Sequence, residues 1–317
     1  MSSEGATQSG VTLDHVMIMV RDLRQASDAF GKLGFRVRPG GRHPGGTENT
    51  IVPFGIDMPY LELVGIYQPG GEEIRDNEEF LAKGEGAMYV GLRVQSVAEV
   101  IRRLRDIGIN VRDPTSGTIV VEGLGEKPPP LWLDVVIPHG SSPRVDPLFF
   151  VESHQSFRAI LGAKDPELLR KFDEERRLPH PNESVNLAAA WIAVGDLDDA
   201  TQKYRGFGFR RIRELSIDRL QARAVEFALD RGSLLVMESM TVDGPIRKLL
   251  DLHDFGIEVP GVSIEVHDVE RALRSMTPEV AAQLQRSAGP WGRNVVIPAA
   301  LANGVWIELF EREARAS

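Results

Sequence analysis

The sequence predicts an α+β protein assembled from four copies of one βαβββ unit, and three observations carry that prediction. A short β-rich run ends on a valine four times: HVMIMV at Val20, YVGLRV at Val94, AAWIAV at Val194 and VSIEV at Val266. Two residues beyond each valine stands Asp22, Ser96, Asp196 or Asp268, a residue whose side-chain oxygen can accept from the first free N–H groups of a helix. Each copy then closes on an apolar run that bears a glutamate: YLELVG (Glu62), PLFFVES (Glu152), SLLVMES (Glu238) and VWIELFE (Glu308). A register held four times at a roughly constant period marks a repeat architecture.

Taken in order, each element has a local reason. The segments LRQASDAFGKL, VAEVIRRLRDI, LDDATQKYRGF and VERALRSM place apolar residues three and four apart, the spacing of one helical face. In the first three copies Gly34, Gly108 and Gly208 follow, each just before a strand signal (FRVR, INVR, FRRI), as expected where glycine stops a helix. The fourth copy has Val280 there and Pro278 nearby, so its helix should end differently. From valine to glutamate the separations are 42, 58, 44 and 42 residues, the second stretched by the loop around GEKPPPLW. Room remains in each copy for about three strands after the helix. The charged, partly helical stretch 154–184 divides two predicted domains of two units each, 11–153 and 185–312, with polar tails at 1–10 and 313–317.

Bulk properties narrow the function classes. The 317 residues carry a net charge of −9 and no long basic cluster, which argues against nucleic acid or an anionic membrane as partner and for a small molecule. No apolar run approaches the ~20 residues of a membrane span, and MSSEGATQSG lacks the features of a signal peptide, so a cytoplasmic location is expected. The absence of cysteine excludes disulfides, thiolate metal sites and a cysteine nucleophile, leaving His, Asp and Glu as metal donors. There is no Gly-x-Ser-x-Gly elbow, Walker loop or His-Glu-x-x-His helix. Whether the chain forms a homodimer is left open.

The first unit concentrates the chemistry. Strand alternation puts His15, Met17 and Met19 on one face and Val16, Ile18 and Val20 on the other, and it turns Glu62 opposite to Leu61 and Leu63. A carboxylate inside an apolar strand is costly unless paired, hydrated or metal-bound. His15 and Glu62 are therefore either a site or a satisfied core histidine and an edge-strand glutamate. The stretch GGRHPGGTENT, with Arg42, His43, Thr47, Glu48 and Asn49, reads as strands two and three with a bulged turn whose polar groups line a pocket mouth. His139, His154, His180, His253 and His267 are expected to be structural or exposed.

The segments LDHVMIMVRDL, GGRHPGGTENTIVPFG, YLELVGI and HPNES resemble the glyoxalase-like proteins of the vicinal oxygen chelate superfamily. The resemblance covers nearly the whole chain and is strongest over 12–66. It implies that paired βαβββ units curl into two eight-stranded, cup-shaped mixed sheets with helices outside. By position it also implies metal ligation by His15, Glu62 and Glu152, with Tyr89 where a second ligand of unit two would stand and His43 as a substitute nitrogen. Ala189 and Gly261 at the matching places make the C-terminal pair a metal-free copy, and Glu308 replaces Glu152 if unit one packs on unit four. The implied activity is that of an isomerase or lyase acting next to a carbonyl, with one divalent cation (Fe2+, Mn2+, Co2+, Ni2+ or Zn2+) as Lewis acid. His43 and Glu152 would move protons, and Arg42, Thr47, Asn49, Tyr89 and Trp132 would contact substrate. A ring-cleaving Fe(II) dioxygenase and a non-catalytic binding or resistance protein are the alternatives.

Overall fold

Val11–Met19 forms the central strand β1 because its β-branched and thioether side chains alternate between two buried faces. The computed structural model describes residues 10–109, 111, 113–121, 129–137, 146–153, 157–253 and 256–312. The tails at 1–9 and 313–317, residues 122–128 of the loop around GEKPPPLW, His139 and His154 lie outside the described residues.

The first half contains β1, helix α1 (Leu23–Lys32), β2 (Arg38–Arg42), β3 (Thr47–Pro53), β4 (Tyr60–Ile66), α2 (Arg75–Lys83), β5 (Gly86–Val94), α3 (Val97–Asp106), β6 (Thr115–Gly117), β7 (Trp132–Val136) and β8 (Leu148–Ser153). Helices α4 (Phe157–Lys164) and α5 (Pro166–Arg177) lead into the second half. There follow β9 (Ser184–Val194), α6 (Leu197–Gly206), β10 (Arg210–Ile217), β11 (Ala222–Ala228), β12 (Ser233–Ser239), α7 (Pro245–His253) and β13 (Ile257–Glu258). The chain closes with β14 (Gly261–Val266), α8 (Val269–Ser275), α9 (Pro278–Ala281), β15 (Arg286–Gly289), β16 (Gly292–Ile297) and β17 (Trp306–Arg312).

The strands form two curled mixed sheets, β2-β3-β4-β1-β5-β8-β7-β6 and β10-β11-β12-β9-β14-β17-β16-β15, with β13 added to the second. Unit one therefore pairs with unit two through the antiparallel β1–β5 contact, and unit three with unit four through β9–β14. Within a unit the first strand runs parallel to the last, as the intervening helix crossover requires. All four predicted caps are in place: Asp22 accepts from the Gln25 N–H, Ser96 from Glu99, Asp196 from Asp198 and Asp199, and Asp268 from Arg271. The fourth helix stops early, at Ser275, before the short turn that Pro278 opens. One apolar cluster runs from Val16, Phe30 and Leu61 of the first half to Ile192, Phe227 and Leu309 of the second, which leaves the opposite sheet faces to form two cups.

Candidate active site in the first cup

The concave face of the first sheet is set by alternation. Core residues Val16, Ile18, Leu61 and Leu63 point one way, so His15, Met17 and Glu62 point the other, into the cup. His15 and Glu62 are both buried, and His15 Nε2 lies 3.4 Å from Glu62 Oε2. The second glutamate oxygen accepts the Asn49 Nδ2–H at 2.5 Å, and Asn49 Oδ1 in turn accepts the Gly41 N–H. His43 Nε2 stands 4.0 Å from Glu62 Oε1, while its Nδ1 is 2.9 Å from Thr47 Oγ1.

Adjacent strand residues normally face opposite ways, yet Asp14 and His15 meet side by side. Leu13 pairs with Leu92 and His15 with Gly91, so Asp14 is the extra residue of a β-bulge. Its carboxylate sits 2.8 Å from His15 Nδ1 and accepts the Arg93 Nε–H at 2.6 Å. The imidazole is further held by Tyr60, stacked at 4.9 Å, and by Phe149, edge-on at 5.2 Å. Gly91 leaves it the space, since a Cβ there would lie 2.7 Å from His15 Cε1 and 2.9 Å from Phe149.

Electrostatics separates the two imidazoles. Burial pushes His15 down, but the Asp14 hydrogen bond and the Glu62 charge outweigh it and leave its pKa above the ordinary value. Burial dominates at His43, whose pKa lies below the ordinary histidine value. Asp134, on the cup face of β7 two residues from Trp132, is pushed up to about 6 by burial.

The predicted residues divide into those the fold brings together and those it does not. His15, His43, Thr47, Asn49 and Glu62 converge, and Trp132 lies edge-on to His43 at 6.2 Å. Tyr89 sits further along the face, edge-on to Phe149, in a cluster with Met17 and Met19. Arg42 is mostly exposed, paired with Glu48 and laid over the Tyr67 ring.

Glu152 requires a correction. Strand pairing places Met17 against Glu62 and Gly91 against Phe149, so Phe149, not Glu152, occupies the Glu62 position of unit two. Glu152 follows three residues later on the helix side and accepts the Val97 N–H at the start of α3. Glu238 and Glu311 face Leu197 and Val269 in the same way, so the four matched glutamates belong to two different registers. Glu152→Ala should therefore cost about 0.5–2 kcal/mol in denaturant unfolding while leaving metal content at the wild-type level. Loss of metal in this variant would restore Glu152 as a ligand. Sequence reasoning missed Asp14, Tyr60, Gly91, Asp134 and Phe149. Of these only Asp14, beside His15 in LDHV, left a trace, and strand parity argued against it.

The residues present fit a divalent cation in part. A buried imidazole and carboxylate face one another, and the far nitrogen of the imidazole is tethered by a second carboxylate, as metal-bound histidines usually are. Among the described residues no group of three or more His, Asp or Glu side chains stands ready to hold a metal, because unit two offers Tyr89 and Phe149 where further donors would be.

Two curled sheets of paired βαβββ units around such a cup define the vicinal oxygen chelate fold. The chain belongs to the family of the glyoxalase-like domain, whose model matches residues 13–208. A hypothetical protein from Staphylococcus aureus superposes with a TM-score of 0.61 at 11% identity, over 95% of this chain and 99% of that one. A mutant of 4-hydroxymandelate synthase from Streptomyces coelicolor gives 0.59 at 15% identity, over 97% and 94%. Methylmalonyl-CoA epimerase from Mycobacterium tuberculosis is 23% identical over 44% of this chain and 97% of its own, with a TM-score of 0.38. No functionally curated protein matches.

Proposed function

We propose that the first cup is the active site of an enzyme that moves a proton next to a carbonyl in a small substrate with two neighbouring oxygens, the chemistry of an isomerase or lyase. The observation that carries this reading is a buried carboxylate, Glu62, faced by two imidazoles, one of them tethered from behind by Asp14. His15 and Glu62 would hold a divalent cation, which when bound supplies Lewis acidity to a substrate oxygen and so acidifies the neighbouring C–H.

The chain supplies the rest. Asp14 holds the His15 ring by Nδ1 and leaves Nε2 directed at the cup, and Asn49 fixes one oxygen of Glu62. His43, anchored at Nδ1 by Thr47, presents Nε2 as the proton carrier. Tyr60, Phe149 and Trp132 wall the site and limit the water that reaches it.

The test uses protein purified without chelator or metal-affinity resin, then offered Fe2+, Mn2+, Co2+, Ni2+ and Zn2+ in turn. Wild type and His43→Ala should retain or rebind one ion per chain, and folded His15→Ala should not. Solvent deuterium should enter enolisable hydroxy-ketones and 2-oxo acids with the wild type, at rates at least ~100-fold above His43→Ala. Wild-type protein that binds none of the five metals would sink the metal assignment, and unchanged exchange in His43→Ala would sink the role given to His43.

A further inference from the structure

The second cup repeats half of the first. Glu308 stands on β17 where Glu62 stands on β4, and Asn294 Nδ2 donates to Glu308 Oε1 as Asn49 does to Glu62. The other oxygen differs. It accepts the Ser263 hydroxyl at 2.7 Å, and Ser263 in turn accepts the Trp191 indole N–H at 2.8 Å. The strand crossing is inverted as well: His15 lies against Gly91 in the first cup, whereas Trp191 lies against Gly261 in the second, where a Cβ would come within 2.7 Å of the indole.

Glu308 thus has no imidazole. It is 3% exposed, and among the described residues no Arg, Lys or His comes within ion-pair distance of it. Arg213 is committed to Glu226 at 2.7 Å, and Arg219 acts on Glu308 only as a more distant charge. A buried carboxylate met by neutral donors alone lacks a countercharge, and burial accordingly holds the Glu308 pKa above the ordinary glutamate value.

The surroundings suit one kind of countercharge. Three of the four tryptophans of the chain, Trp191, Trp291 and Trp306, belong to the apolar cluster of this cup, the last two partly exposed. Where the first cup has Tyr89, Trp132 and Asp134, strand register puts the smaller Ala189, Ala222 and Ala224, with Leu235, Met237, Ile246 and Leu250 completing an apolar lining. The Trp291 ring, packed on Phe310 at 5.2 Å, already makes one cation contact, with the Arg213 guanidinium 6.0 Å from its centre. Indole faces attract organic cations, whereas Ca2+ or Mg2+ would need six or more oxygens.

We propose that the second cup binds a small organic cation, an amine or a quaternary ammonium, with its charge toward Glu308 and its alkyl groups against Trp291 and Trp306. The site is independent of the chemistry assigned to the first cup.

The experiment titrates full-length protein with choline and with 3,3-dimethylbutan-1-ol, its uncharged isostere, by calorimetry and tryptophan fluorescence. Choline should bind at least about tenfold more tightly than the alcohol. Glu308→Gln should lose that preference, Trp291→Leu should weaken choline binding about tenfold, and His15→Ala should leave both unchanged. Equal or undetectable binding of the two probes overturns the proposal, as does a preference that survives Glu308→Gln or disappears in His15→Ala. If Glu308→Gln fails to fold, the partly exposed Trp291 decides: choline affinity unchanged in Trp291→Leu also overturns it.

Discussion

Gly91→Ala should disable the first cup with a single methyl group. The new Cβ would stand 2.7 Å from His15 Cε1, 2.8 Å from Nδ1 and 2.9 Å from Phe149, closer than nonbonded carbon contacts allow. None of these neighbours yields cheaply. The imidazole is fixed by Asp14 on one edge and stacked on Tyr60, while Phe149 packs edge-on against both His15 and Tyr89. Overpacking of this kind costs about 1–3 kcal/mol of stability. Displacing a reacting group by about 1 Å costs on the order of 100-fold in rate. The variant should therefore fold, melt at a lower temperature, retain less metal than wild type and lose about two orders of magnitude in deuterium exchange. Gly86→Ala, on the same strand, is the control, because its nearest neighbour would be an ordinary 3.6 Å away. If Gly91→Ala matches Gly86→Ala in metal retention and exchange, the position of His15 does not govern the site.

The parts of this structure that could be read from sequence are those set by one residue and its near neighbours. The helix caps at Asp22, Ser96, Asp196 and Asp268 are local hydrogen bonds, and the stops at Gly34, Gly108 and Gly208 are local dihedrals, with φ of +80°, +81° and +90°. Parity within one strand was enough to turn His15 and Glu62 toward the same space. Asp14 escaped because a bulge breaks that parity, and a bulge arises from a mismatch between two strands that β1 alone does not reveal. Glu152 and Glu238 were matched to Glu62 because each copy ends on a glutamate in an apolar run. Only the pairing of first with last strand separates the carboxylates inside the cups, Glu62 and Glu308, from those at helix starts. Gly91 and Phe149 were illegible for the same reason, since their importance is a distance to a residue more than seventy positions away. The N-terminal and C-terminal cups also diverge by exchange across a strand crossing: matching Gly261 to His15 shows the lost imidazole, but only the pairing of the two strands shows that the Trp191 ring fills the space from the opposite strand.

Acid should loosen the protein first at the segment entering β9, through His180. This histidine is 4% exposed and bridges that segment to the first unit: its Nε2–H donates to the Pro53 carbonyl at 2.8 Å, and its Nδ1 accepts the Arg36 N–H at 2.9 Å. Phe35 and Phe54 pack against the ring, and Asn182 adds a second tie by donating to the Leu33 carbonyl at 3.0 Å. With Nδ1 already an acceptor, the ring must stay neutral. Burial, and to a lesser degree the Arg36 and Arg38 charges, hold its pKa at about 4, against 6.5 for an exposed histidine. Because the folded pKa is the lower one, the unfolded chain takes up the proton first. The stabilisation is fully present above pH 6.5, erodes as pH falls below it, and is gone below about 4. Across that window the loss amounts to about 3 kcal/mol, no steeper than about 1.4 kcal/mol per pH unit. His15, whose folded pKa lies above the ordinary value, titrates with the opposite sign, and its contribution cancels because both proteins compared carry it. Urea unfolding of wild type at pH 7.5 and 4.5 should show this additional loss relative to His180→Gln, which starts less stable but has no proton to take up. Equal pH dependence of the two proteins would mean that His180 is already charged in the native state, and the clasp between the two halves would then need another explanation.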